Sequence, residues 1–145
     1  MANPDFNILL NALYPIAKEL LEQQQDFLPF GRAMSSEGEV LTLDVVASGG
    51  PPTTEQGVDL LEKRMREMAR KGEIRASGIC FDALVNKPGS TARREVICAR
   101  LEHLSGEALD AFLPYEKRGA TIEYGEVFAG AGKAVVFPGI KKRKG

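Results

Sequence analysis

The sequence has no tryptophan, a single histidine, two cysteines and no apolar run long enough to cross a bilayer. Each shortage excludes something. With His103 as the sole imidazole, a metal or acid–base centre that needs several histidines cannot be built. Cys80 and Cys98 match no zinc or redox spacing, and the expectation is two small buried thiols in a reducing compartment. The apolar triplet Ile8-Leu9-Leu10 is bounded by Asn7 and Asn11 and lacks a basic flank. It falls far short of the roughly 20 residues of a membrane helix, so the expectation is a cytoplasmic chain with neither signal peptide nor membrane span. A net charge of −1 gives the domain no electrostatic reason to seek nucleic acid or an anionic membrane.

Motifs for chemistry are also missing. The glycine-rich stretches Gly49-Gly50-Pro51-Pro52 and Gly130-Ala131-Gly132 lack the lysine and hydroxyl residue of a phosphate loop, and proline removes amides that a phosphate would use. Neither Ser48 nor Ser105 has the strand–turn–helix context of a nucleophile elbow. No cofactor and no metal are implied, and the balance leans away from an enzyme.

What is present describes one globular domain. The 145 residues are 43% hydrophobic and 27% charged, enough for one core, spanning residues 1–140 with a basic tail, Lys141 to Gly145, behind it. Asn3-Pro4-Asp5 is a helix start: asparagine caps free amides, proline suits the first helical position, and aspartate complements the helix dipole. Phe6, Leu9, Leu10, Leu13, Ala17, Leu20 and Leu21 follow at helical spacing, and Pro15 predicts a kink or break near Asn11 to Tyr14. Phe27 to Met34 and Glu39 to Val46 read as strands about the turn Ser35 to Gly38, with Pro29 marking an edge strand or an irregular start. Thr53 and Gln56 form a capping-box pair ahead of Val58, Leu61, Met65 and Met68, and Lys71-Gly72 ends that second helix.

The longest signal is a hairpin, Glu73 to Val85 and Arg93 to Leu104, followed by a strand from Glu107 to Tyr115. Reflection about Gly89 pairs residues whose numbers sum to 178, setting Cys80 opposite Cys98, His103 opposite Arg75 and Asp82 opposite Val96. Thr121 to Ala129 and Lys133 to Phe137 look like short extended pieces. The fold class is therefore α+β: a single, mostly antiparallel sheet of about five strands with two main helices, in the order α-β-β-α-β-β-β.

Phe30-Gly31, Gly38-Glu39, Gly72 to Ala76, Leu101-Glu102-His103, Phe112 to Tyr115 and Tyr124 to Phe128 together resemble a family of small uncharacterised bacterial proteins. The resemblance implies a bacterial cytosolic domain and transfers no catalytic residue. The order of elements is also similar to the roadblock and profilin-like class, whose members are commonly dimeric binding scaffolds. The chain departs from the roadblock pattern in ending with glycine-rich extended sequence in place of a final helix.

Two functional readings follow. The first is a non-enzymatic interaction module, a homodimer that uses the sheet edge beginning at Phe27 to Phe30 or the apolar side of the first helix, with an unidentified protein partner as a further option. The second is a small-molecule-binding protein or minor enzyme whose pocket gathers Asp82, Arg100, His103 and Tyr115 between sheet and helices. A phosphate-polymer contact through the basic tail is a third option.

Overall fold

The computed structural model describes residues 3–24, 26–45, 50–86, 89 and 91–138. The tail at 141–145, Ser48 and Gly49 lie outside the described residues. Nine elements follow in chain order: α1 (Pro4–Gln24), β1 (Phe30–Ser35), β2 (Val40–Asp44), α2 (Thr54–Arg70), β3 (Ile74–Asn86), β4 (Arg93–His103), β5 (Ala108–Arg118), β6 (Thr121–Tyr124) and β7 (Phe128–Ala131). All strand pairings are antiparallel and the sheet order is β2-β1-β3-β4-β5-β6, with β7 also on β5. The α+β class holds, with more strands than the five read from sequence because β6 and β7 are separate pieces along one side of β5.

Pro15 does not divide the first helix, which runs unbroken from Pro4 to Gln24. Proline removes the hydrogen bond to the carbonyl four residues earlier, and both Pro15 and Asn11 are exposed, so the freed carbonyl faces the side of the helix open to water. The opposite stripe, Phe6, Leu9, Leu13, Ala17 and Leu21, is buried against the sheet. Each large side chain in that stripe contributes about 2 kcal/mol. Helix α2 has both halves of the capping box between Thr53 and Gln56, and Gly72 follows its C-terminus at a positive φ of 73°.

The two helices lie on opposite faces of the sheet. Even-numbered residues of β3 and odd-numbered residues of β4 and β5 meet α1 in one core, which includes Ala76, Cys80, Ile97, Ala99, Leu101 and Leu113. The other parity packs under α2 in a second core with Ile79, Phe81, Cys98, Val136 and Phe137. Gly78 admits α1 closely: a Cβ there would sit 2.8 Å from Leu13 Cδ1.

The register of the central hairpin differs from the expected one by a single residue. Phe81 stands opposite Cys98, Cys80 opposite Ala99, Asp82 opposite Ile97 and His103 opposite Ala76. A shift of one residue moves one strand's side chains to the other face. The two cysteines therefore occupy different cores, and both are free thiols.

Two further expectations are corrected. β1 is internal, paired with β2 on one side and β3 on the other, and it begins after Pro29 because proline has no N–H to give the ladder. Lys133 to Phe137 is not a strand. It is an irregular segment held over the α2 face by Glu102, whose buried carboxylate accepts hydrogen bonds from the amides of Val135 (2.9 Å), Val136 (2.9 Å) and Phe137 (3.1 Å). Arg66 Nε donates to the Val135 carbonyl at 2.9 Å, tying the same segment to α2.

Two substitutions separate satisfied from unsatisfied burial. Glu102→Gln turns an acceptor into a donor facing amides and is expected to lower the unfolding free energy by roughly 3 kcal/mol in urea titration. Tyr14 Oη is buried with no hydrogen-bond partner among the described residues. Tyr14→Phe is expected to leave stability unchanged or raise it by about 1 kcal/mol, since no bond is lost and a desolvated hydroxyl is removed.

Candidate functional site

β4 and β5 pair from Glu102↔Ala108 to Val96↔Pro114 and then separate. Beyond that point, residues 93–95 continue with β3 alone, and residues 115–118 continue with β6 alone. Pro114 stands at the fork. Its carbonyl accepts from Gly125 N at 2.8 Å, so its nitrogen also points toward β6 and offers no hydrogen there. β6 stops at Tyr124 and pairing with β5 resumes only at Phe128.

The two diverging hairpin ends leave an open cleft of about 610 Å³, whose walls include Leu84, Arg93, Arg94, Glu95, Tyr115 and Lys117. A second hollow of about 490 Å³ adjoins it, sharing Leu84 and Glu95 and adding Asp82. Tyr115 is buried, and its hydroxyl lies 2.6 Å from Asp82 Oδ1 and 3.1 Å from Glu95 Oε2. One O–H cannot fully satisfy two carboxylates. Burial pushes the Asp82 carboxyl above its ordinary value, the Tyr115 hydrogen bond pulls it back in part, and the neighbouring Asp26 and Glu95 push it up again. Burial and the two carboxylates hold the Tyr115 phenol far above its usual range, so it stays protonated as a donor.

The four residues selected from sequence do not share one cavity. Asp82 and Tyr115 come together, because even positions of β3 and odd positions of β5 face the same way. His103 is on that face too, but six residues along β4 from Ile97, the partner of Asp82, or about 20 Å away at strand rise. Its Nε2 is 2.9 Å from Asp5 Oδ2, and its Nδ1 accepts from Ser105 N at 3.0 Å, so Nε2 carries the donated hydrogen. Arg75 binds the same Asp5 carboxylate at 3.1 and 3.2 Å. Burial alone would raise Asp5, but the hydrogen bonds from His103 and Arg75 outweigh it and hold the group below its ordinary value. This cluster pins the start of α1 to β3 and to the turn after β4.

Arg100 projects from the opposite face. It lies over the Phe81 ring at 5.1 Å and reaches Glu62 of α2 at 3.4 Å, bridging helix to sheet. Glu95 was missed from sequence. Its sole signal was the spacing that puts residues 95, 97 and 99 on one face, which gains meaning only when Tyr115 is known to reach it. The cysteines offer no nucleophile at neutral pH: burial raises Cys80 strongly and pushes Cys98 up to about 12. No group of three or more metal-ligating side chains forms among the described residues.

A different surface runs along β2, a free edge of the sheet. The Ser35 N–H bonds the Glu39 carbonyl at 2.7 Å, which sets the alternation of the β1–β2 ladder. Leu41 and Leu43 turn their backbone groups toward β1, and Val40, Thr42 and Asp44 turn theirs outward. On the α1 side this edge adjoins a hollow of about 260 Å³ walled by Ile16, Leu20, Phe27 and Leu28. On the α2 side it adjoins one of about 440 Å³ walled by Val45, Leu60 and Leu61.

Comparison of this chain with protein-family models, with curated proteins and with solved structures finds no match. No helix among the described residues is long and apolar enough to cross a membrane.

The Tyr115 cluster has a definite acid–base signature. Because the folded-state pKa of Asp82 is raised above its ordinary 3.8, folding binds this proton more tightly. The group's contribution to stability is thus largest at acid pH and is lost as pH rises through the folded-state value. Asp82→Asn is expected to flatten that part of the stability-versus-pH curve, measured by denaturant unfolding at a series of pH values. Tyr115→Phe, which removes the donor to the ionised form, is expected to move the Asp82 carboxyl further upward in a carbon-13 NMR titration; a downward shift would contradict the arrangement.

Proposed function

We propose that the protein is a non-enzymatic homodimeric interaction module whose subunits join along β2, extending the sheet from one protomer into the next. The observation that carries this reading is the outward-facing backbone of Val40, Thr42 and Asp44, flanked on both faces by apolar hollows. A two-fold axis at Thr42 is self-complementary: Thr42 meets Thr42 of the second copy, and Val40 meets Asp44, each pair able to exchange two backbone hydrogen bonds. The same operation sets like helix beside like helix on each face, over the hollows that contain the exposed Leu28 and Leu60. The opposite edge is a poorer partner. It is broken at residues 125–127 and carries Glu123 and Glu126, interruptions and charges of the kind that prevent edge pairing.

This surface replaces the two expected from sequence. The apolar stripe of α1 is consumed by the core, with Leu13 fully buried, and the edge at Phe27 to Phe30 is occupied because β1 already has two neighbours. The motif resemblance and the buried reduced thiols support a bacterial cytosolic setting as part of the same proposal.

Thr42→Pro tests it. Proline removes an N–H that points away from β1, so the protomer keeps its own ladder. The expectation is a dimer for the unaltered protein by sedimentation velocity, a monomer for Thr42→Pro with an unchanged circular-dichroism spectrum, and a dimer for Thr42→Val. A monomeric unaltered protein, or a Thr42→Pro variant that stays dimeric, would rule the β2 interface out.

A further inference from the structure

We infer that the trough between the two hairpin ends is a binding site for a small zwitterion of amino-acid or short-peptide size, its ammonium held by Asp82 and Glu95 and its carboxylate by Arg93 and Arg94. The site is separate from the β2 edge, being built by β3, β4 and β5 near the fork at Pro114. The hollows of about 610 and 490 Å³ share Leu84 and Glu95 as wall residues, and each is within the size range of small-molecule sites.

Opposite charge at the two ends carries the argument. At one end, two carboxylates compete for the one hydrogen of Tyr115, and Asp82 is half-buried. Lys117 also lines the cleft and acts on Asp82 through its charge, and an ammonium brings three donors to the carboxylate oxygens that share the single Tyr115 hydrogen. At the other end, the guanidinium groups of Arg93 and the half-buried Arg94 make no side-chain hydrogen bond or ion pair among the described residues. Arg118, by contrast, is already matched by Glu116 and Glu123 at 2.8 Å each. Guanidinium groups bind carboxylates in paired hydrogen bonds; as consecutive residues of β4, Arg93 and Arg94 leave the strand on opposite faces, so they flank the cleft from its two sides and hold a carboxylate between them. A simple anion would meet Asp82 and Glu95, and a simple cation would meet Arg93 and Arg94. A molecule carrying both charges is attracted at both ends.

Between the ends stands Leu84, 55% exposed although it lies on the sheet face that α1 covers elsewhere. It supplies an apolar wall for a ligand side chain. The phenol of Tyr115 is fixed by its two carboxylates, so the acidic end is organised before a ligand arrives.

The probe is the tripeptide Ala-Leu-Ala, titrated calorimetrically into the full chain together with its N-acetylated and C-amidated forms. The free peptide is expected to bind, and each blocked form to bind about tenfold more weakly or worse, a factor that corresponds to losing one charged contact. The Arg93→Ala/Arg94→Ala double variant is expected to weaken the free peptide similarly while changing the C-amidated form little. Asp82→Asn is expected to weaken the free peptide and leave the N-acetylated form as it was. In nitrogen-15 NMR the amides of Leu84 and Tyr115 shift with the free peptide. No heat and no such shifts at millimolar peptide would overturn the inference. So would equal binding of free and blocked peptides, or affinity that survives the double variant. Preferential binding of the N-acetylated form would overturn it in favour of a plain anion site. Because Thr42 is remote from this trough, the outcome is independent of whether Thr42→Pro dissociates a dimer.

Discussion

The pairing of β3 with β4 governs the rest of the structure. With Phe81 opposite Cys98, each residue of the longest strand is committed to one of the two faces of the sheet. Even positions of β3 go under α1 and odd positions under α2, so every later contact inherits that division. Tyr115 finds Asp82, Arg100 finds Glu62, and Glu102 is directed to the α2 side, where it can hold Val135 to Phe137. A one-residue slip of β4 would turn Arg100 and Glu102 toward α1, away from Glu62 and from the amides of Val135 to Phe137.

The polar contacts that look chemical in the sequence divide into two kinds when placed on this frame. Asp5, Arg75 and His103 form a compact network at a junction of α1 with the sheet, and Arg100 with Glu62 forms another beneath α2. Each partner answers the other, which is the arrangement expected of groups that fix elements in place. The Asp82, Glu95 and Tyr115 cluster is different because its acceptors outnumber its donor and it opens to a cleft. That imbalance arises where the β4–β5 ladder stops at the Val96–Pro114 pair, so the parting of the two hairpin ends both interrupts the sheet and creates the concavity between them.

Covering both faces of the sheet also shifts the burden of exposure to its rims. The apolar side of α1 has no capacity left for a partner once Phe6, Leu9, Leu13, Ala17 and Leu21 are buried. On the far side of the sheet from the trough, the edge strand β2 and the grooves beside it remain open. An association surface there follows from the layer geometry, since a sheet wider than the helices above it leaves its outer strand uncovered.

The sequence by itself determined the existence and order of the helices and main strands, the capping of α2, the α+β class and the pairing of β3 with β4 as neighbours. These are local: helical spacing, a capping box, a left-handed glycine at residue 72 and a turn-rich stretch between two apolar runs. Only the tertiary structure decided the register, the continuity of α1 through Pro15, the internal place of β1 and the dispersal of Arg100 and His103 from Asp82 and Tyr115. The physical reason is that the central strands are apolar on both faces. In a sheet covered on one side, alternation would pin the register; with both sides buried, either parity satisfies the pattern, and the choice falls to how α1, α2 and the segment at 134–137 fit around it.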